Sequence, residues 1–330
     1  MTARHHHYLP QFYLKGFTNG GFKKSKLTVI DFKEKKIYST IPRNVGGMRD
    51  FNRVESKDVD PNTIEKSYAA FEGRAATSIT NIHKTLEFSG EKKEHVLNLI
   101  ALLAVRSPEQ RGNANQLFAQ IVEQFMDLSL TTKEFWESQM DQMRADGYDV
   151  DDDISYEDMK EFFERKNYKI KLNKEFHIAM EMGQVDPVLQ CLRGRKWLLI
   201  HSTNESGPFI TTDYPVNLTW IEPEKIPSFY RKSPGFGLKG TQVYFPLSRK
   251  LALLGEFEGR EGLIPATRNL VALLNSKKLM YVFKQCYTPK IGFYFLGRNG
   301  AILDGSKILS ENNITARADC AVAPFNRNYQ

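Results

Sequence analysis

Apolar residues along this chain recur with two different periods. KLTVIDFKEKKIYSTI (26–41) alternates apolar and polar positions around a charged centre, which predicts a β-hairpin. NVGGMRDF (44–51), with two adjacent glycines, predicts a loop. The period then lengthens. Ile64, Tyr68, Phe71, Ala75, Ile79, Ile82 and Leu86 follow at spacings of three and four, which is one face of a helix. Asp60 can cap that helix and Pro61 suits its first position. EKKEHVLNLIALLAVR is apolar nearly all round from Val96 onward, so it predicts a helix buried among others. Ser107-Pro108-Glu109-Gln110 forms a capping box for a third helix running to about Leu130, and TTKEFWESQMDQMRA (131–145) predicts a fourth.

Ser155 and Asp158 form a second capping box ahead of a helix expected over roughly residues 156–183. The acidic run before it gives Asp149, Asp151 and Asp153 the first spacings of an EF-hand. That loop fails, because it needs Gly where Ile154 stands and Glu where Lys160 stands. A solvated loop is expected instead. From about residue 195 the pattern is that of strands. KWLLIHS, PFITTD, QVYFPLS, KLALLGEF and IGFYFLG are short, β-branched or aromatic, and bounded by turns. One helix, TRNLVALLNSKKLMYVFK (267–284), interrupts them. The expected fold is α+β, in a single large domain of 330 residues. Its parts are an opening motif with an N-terminal β-hairpin (1–55), a central helical bundle (56–190) and a C-terminal, mostly antiparallel sheet with one helix (191–330). The hairpin can join that sheet.

Composition narrows the class. With 41% apolar and 12% aromatic residues the chain is not disordered. Its formal charge of +7 fits an anionic partner such as nucleic acid or a nucleotide, or simply a basic globular protein. Cys191, Cys286 and Cys320 lie far apart with no CxxC pair, which argues against a zinc ribbon or a disulfide framework and fits reduced thiols. The longest apolar run, VLNLIALLAV, is too short to span a bilayer, and no signal pattern opens the chain. A soluble cytoplasmic protein with no membrane partner is expected.

Few motifs carry chemistry outright. Gly235-x-Gly237-x-x-Gly240 matches the dinucleotide fingerprint, but Pro234 precedes it and a strand follows it, so a loop is the better reading. Asp213 follows the strand FITTD as the first acid of a PD-(D/E)xK nuclease core should, yet WIEPEKI holds no acid separated from a lysine by a single residue. No GxSxG elbow, P-loop or HExxH is present. What remains is a set of single residues, each with a bland counterpart. Asp213, ahead of Pro215, is a functional carboxylate or a turn aspartate. Glu65 and Glu72, two turns apart beside a buried face, hold a divalent metal or pair with bases. Arg106, ending the most apolar helix, binds phosphate or caps its own carbonyls. Asn275, within an apolar helix, meets a ligand or a structural partner.

The most specific stretch is HHHYLPQFYLKGF (5–17). Pro10 suits the start and Gly16 the end of a short helix anchored by Phe12, Tyr13 and Phe17. In an extended segment His5 and His7 point one way and His6 the other. This opening, through His6, His7, Tyr8, Pro10, Phe12, Leu14 and Phe17, resembles that of the family catalogued as domain of unknown function 4238. IEKSYAAFE, AVRSP, FITTDYPV, YFPLSRKLAL and the Asn275 helix are similar to later parts of that family. The resemblance brings no assigned activity. It implies a bacterial setting, with the patchy spread of defence or toxin effectors.

Two functions are therefore expected in order. The first is a metal-assisted nuclease or phosphodiesterase acting on RNA or DNA. His6 or His7 is the base or a ligand, and Glu65, Glu72 and Asp213 hold Mg²⁺ or Mn²⁺. Arg106 steadies phosphate charge, Lys15, Arg106 and Asn275 bind substrate, and Lys23, Lys24 and Arg43 guide the polyanion. The second is a non-catalytic module that binds nucleic acid, a nucleotide or a protein partner in a defence complex.

Overall fold

The computed structural model describes residues 4–21, 24–54, 60–151, 153–231 and 234–310. In chain order the elements are β1 (His5–His7), α1 (Gln11–Lys15), β2 (Leu27–Asp31), β3 (Lys36–Thr40), β4 (Gly47–Arg49), α2 (Thr63–Thr85) and α3 (Gly90–Val105). Then follow α4 (Pro108–Ser129), α5 (Lys133–Ala145), α6 (Tyr156–Arg165), α7 (Lys174–Arg193), β5 (Lys196–Ser202), β6 (Thr211–Thr212), β7 (Asn217–Trp220) and α8 (Ser228–Arg231). The last are β8 (Thr241–Pro246), β9 (Leu251–Glu256), β10 (Gly262–Ala266), α9 (Arg268–Met280), β11 (Gln285–Thr288), β12 (Tyr294–Leu296) and β13 (Ile302–Asp304). The class is α+β, with the N-terminal hairpin and the C-terminal sheet in the places expected.

The chain divides into two compact units, residues 1–107 with 178–330, and residues 108–177. In the larger unit a five-stranded sheet runs β10-β5-β9-β8-β7 and a four-stranded sheet runs β3-β2-β11-β6. The hairpin thus joins β11, not the five-stranded sheet. All pairs in both sheets are antiparallel except β10 with β5, where Pro265 lies in an edge strand whose lost N–H costs no ladder bond. The C-terminal part of α3, from Val96 to Val105, is buried but for half-buried Asn98. Its core neighbours are Leu9, Tyr13, Leu14 and Phe17 of the opening motif, Ala75 and Ile82 of α2, and Leu199, Phe245 and Leu253 of the sheet. That packing holds the first residues of the chain against α2 and α3.

Local outcomes differ from the sequence pattern at a few points. Residues 44–51 are not all loop, because β4 pairs antiparallel with β1, setting His6 opposite Met48 and His7 opposite Gly47. Both glycines are required there. Gly46 has φ +67, and a Cβ on it would press on Leu9 and Leu14; a Cβ on Gly47 would meet the His5 ring and the His6 carbonyl. α2 starts at Thr63, two residues later than Pro61 predicts; the Asp60 carboxylate accepts from the Asn62 N–H instead. The helix expected over 156–183 is two helices. Lys166 closes α6 in the left-handed region at φ 48, and the extended segment after it is held by Asn115 of α4, which donates to the Ile170 carbonyl and accepts from the Leu172 N–H. The Ser155 capping box is present, its hydroxyl accepting from the Asp158 N–H. Arg195 fixes the glycine-rich loop, donating to the Phe236 carbonyl and to both the carbonyl and hydroxyl of Thr241. Among the described residues no helix is long and apolar enough to cross a membrane. Cys191 and Cys286 are free, and Cys320 and Lys23 lie outside the described residues.

Candidate active site

Alternation along β1 buries His6, exposes His5 and leaves His7 half-buried. Both of the latter rings lie on one side, with centroids 5.0 Å apart. His6 Nδ1 accepts from the Asn52 N–H at 2.9 Å, so the proton of the neutral ring is on Nε2. In His7 the free nitrogen is Nδ1. Its Nε2 lies 3.2 Å from the Arg43 carbonyl, which can only accept, so Nε2 carries the proton and Nδ1 keeps its lone pair. Burial holds the His7 pKa below its ordinary value, the Arg43 carbonyl working against that, so the ring is neutral near pH 7.

Asn52 joins this strand pair to α2. Its Nδ2 donates to Glu65 Oε1 at 2.7 Å, while its Oδ1 is buried without a hydrogen-bond partner among the described residues. Two turns further along the same face stands Glu72. Burial pushes its carboxyl up to about 7; Arg106 opposes the shift and the charge of Glu65 adds to it. The Glu72 carboxylate lies 3.8 Å from Arg106 Nη2, and its side chain is 25% exposed.

Arg106 caps α3 and is buried, unlike nearly all arginines of globular proteins. Its guanidinium lies over the Tyr68 ring, 4.3 Å from the centroid, and Nη2 donates to the Tyr8 carbonyl at 3.3 Å. Nε and Nη1 are buried and have no hydrogen-bond partner among the described residues. Two unsatisfied donors on a buried cation are costly, and they fit an anion with two oxygens.

The other expected residues lie elsewhere. Asp213, at the end of β6, accepts from the Phe283 N–H on Oδ1 and from the Lys284 and Gln285 N–H groups on Oδ2, at 2.6–3.0 Å. Burial nonetheless pushes its carboxyl up to about 6. The burial of Tyr8, with the charge of Asp213, keeps the Tyr8 phenol protonated well above neutrality. Asn275 accepts from the Ile210 N–H and donates to the Pro208 and Tyr294 carbonyls, so its amide stitches loops to α9. Lys15 ends α1, and Arg43 and Lys24 are exposed. The structure thus links His6 to Glu65 through Asn52 and Glu72 to Arg106 over Tyr68, sets His7 on the other side of β1 within electrostatic reach of Glu65, and leaves Asp213 and Asn275 in backbone-binding roles. Among the described residues no three His, Cys, Asp or Glu side chains are placed to hold a metal ion. Asn52 carries no periodic signal; only its place just after the double-glycine segment marks it. Tyr68 reads in sequence as one more core position of α2, and its role as a platform for Arg106 follows from packing alone.

Fold and site together define an α+β protein with a buried arginine and a shifted carboxyl beneath its opening histidine motif. A family model described as Protein of unknown function (DUF4238) matches residues 5–289, and the chain belongs to that family. No curated protein and no solved structure matches it.

Proposed function

We propose that this protein is a phosphodiesterase acting on RNA or DNA, with its chemistry at the opening motif. The observation that carries the reading is the buried Arg106 with two unpartnered N–H donors beside a carboxyl that titrates near neutrality. In a phosphodiester hydrolysis these groups divide as follows. Arg106 Nε and Nη1 donate to the non-bridging phosphate oxygens and stabilise the charge that grows on them. His7 Nδ1 takes a proton from water as that water bonds to phosphorus. Glu72, partly protonated near pH 7, gives its proton to the leaving oxygen as the P–O bond breaks. Burial has moved the two pKa values in opposite directions, toward a neutral base and a protonated acid. His6, Asn52 and Glu65 hold the strand pair and helix in register. Asp213 is tied to backbone N–H groups and one oxygen of Glu65 to Asn52, so a divalent ion, where one binds, would be held by the remaining Glu65 oxygen and Glu72 and would supply further charge stabilisation at the phosphate. The assay keeps the metal as a condition. The family resemblance favours a defence or toxin setting.

The test is cleavage of labelled single- and double-stranded RNA and DNA, with Mg²⁺, with Mn²⁺ and with EDTA, by the wild type, His7→Ala and Arg106→Lys. Arg106→Lys keeps the charge and loses the paired donors. Cleavage should fall by about 100-fold or more in each variant, with the circular dichroism unchanged. Equal cleavage by all three would refute the site. Binding without cleavage, retained in His7→Ala, would make the protein a nucleic-acid-binding module.

A further inference from the structure

Residues 108–177 hold sixteen acidic and nine basic side chains, a net −7 inside a chain of net +7. The negative charge gathers at one place. A groove of about 800 Å³ lies among α4, α5 and α6 and the turn before α6. Its floor is soft and apolar: Met126, Trp136, Met140 and Met159 line it, with Phe125 and Ile154 at the edges. Phe125 is 55% and Ile154 43% exposed, a large cost for a surface that stays bare. Around that floor stand Glu137, Asp141, Asp149, Asp151 and Glu157, against only Lys133 and Arg144. The two bases pair with Glu157 and Asp141, which leaves Glu137, Asp149 and Asp151 to face an incoming partner.

We propose that this groove docks a basic amphipathic helix of a partner protein. Methionines and aromatics adapt to apolar side chains spaced along a helix face. The acidic rim selects lysine and arginine on its flanks and repels acidic helices. α5, which forms one wall, has 13 residues, so it offers about 20 Å of length, some four turns of a docked helix. Asp149 and Asp151, whose spacing fails as a calcium loop, thereby have a role as part of one rim. The site is independent of the phosphodiesterase chemistry, since all its lining residues fall within 108–177.

The test uses the full chain and two fluorescein-labelled synthetic helices of about 16 residues, one built of leucine and lysine, the other of leucine and glutamate at the same positions. Anisotropy should show saturable binding of the lysine peptide and none of the glutamate peptide. Glu137→Lys with Asp149→Lys should weaken the lysine peptide by about tenfold or more. Ile154→Glu, an exposed position that leaves the fold intact, should weaken it by removing an apolar side chain from the groove edge. Absence of saturable binding, or equal binding of both peptides, overturns the proposal. So does equal affinity of the charge-reversed variant, or a wild-type dimer by sedimentation that the peptide does not dissociate and Ile154→Glu does.

Discussion

At the residue scale the account rests on groups whose protonation the fold has moved. Glu72 has a folded pKa of about 7, above that of an exposed glutamate, because burial penalises its charge more than Arg106 relieves it. A carboxyl raised in this way lends stability only while protonated. That stability is present below the unfolded pKa near 4.5 and is lost as pH rises through about 7, with Asp213 adding the same sign over 3.8 to about 6. Denaturant unfolding should therefore show stability falling between about pH 4 and about pH 7, by an amount on the order of a few kcal/mol, and levelling off above that. Glu72→Gln, which cannot ionise, should flatten part of that fall. His7, Glu65, Glu72 and Arg106 are legible in the sequence because histidines before a patterned segment, and charges beside a buried helix face, are physically odd. That Arg106 lies over Tyr68 with two donors unused is not legible there, since it depends on how three elements meet.

At the element scale most helices and the hairpin are legible, because each carries its own periodicity and caps. Elements held by tertiary pairing are hidden. β4 is three residues long and exists because β1 lies beside it. α6 and α7 part where Asn115 captures the backbone of 170–172. β11 is masked by the apolar run that ends α9. Its start is fixed by Asp213, a residue that the strand-end pattern suggests for chemistry. With three backbone N–H groups on one carboxylate, Asp213→Ala should lower stability by about 3 kcal/mol or more, read as a drop in the urea midpoint. Asp213→Asn, which keeps one acceptor oxygen, should lose less. Unchanged midpoints in both would deny the carboxylate this structural part.

For the whole molecule, charge is segregated. The acidic unit of net −7 leaves +14 on the remainder, which holds the candidate site and Lys15, Lys24, Arg43, Arg249 and Lys250. Nucleic acid should thus meet the larger unit. Its observed affinity should fall with salt, and charge-neutral substitutions at Lys15, Lys24 and Arg43 should each reduce the logarithmic salt slope by about one for every phosphate left without its cation. An unaltered slope would place the polyanion elsewhere. The overall charge of +7 conceals this division, which emerges only when the boundaries of the compact units are known.

The measurement that bears most directly on the account is the pH dependence of single-turnover nucleic-acid cleavage, for the wild type and Glu72→Gln. A neutral His7 and a protonated Glu72 predict a bell. Its acid limb lies below the ordinary histidine value and its alkaline limb has an apparent pKa of about 7. Glu72→Gln should slow the reaction and erase the alkaline limb while leaving the acid one. The same profile in both proteins would show that Glu72 gives up no proton in the reaction, and would contradict the assignment of the site.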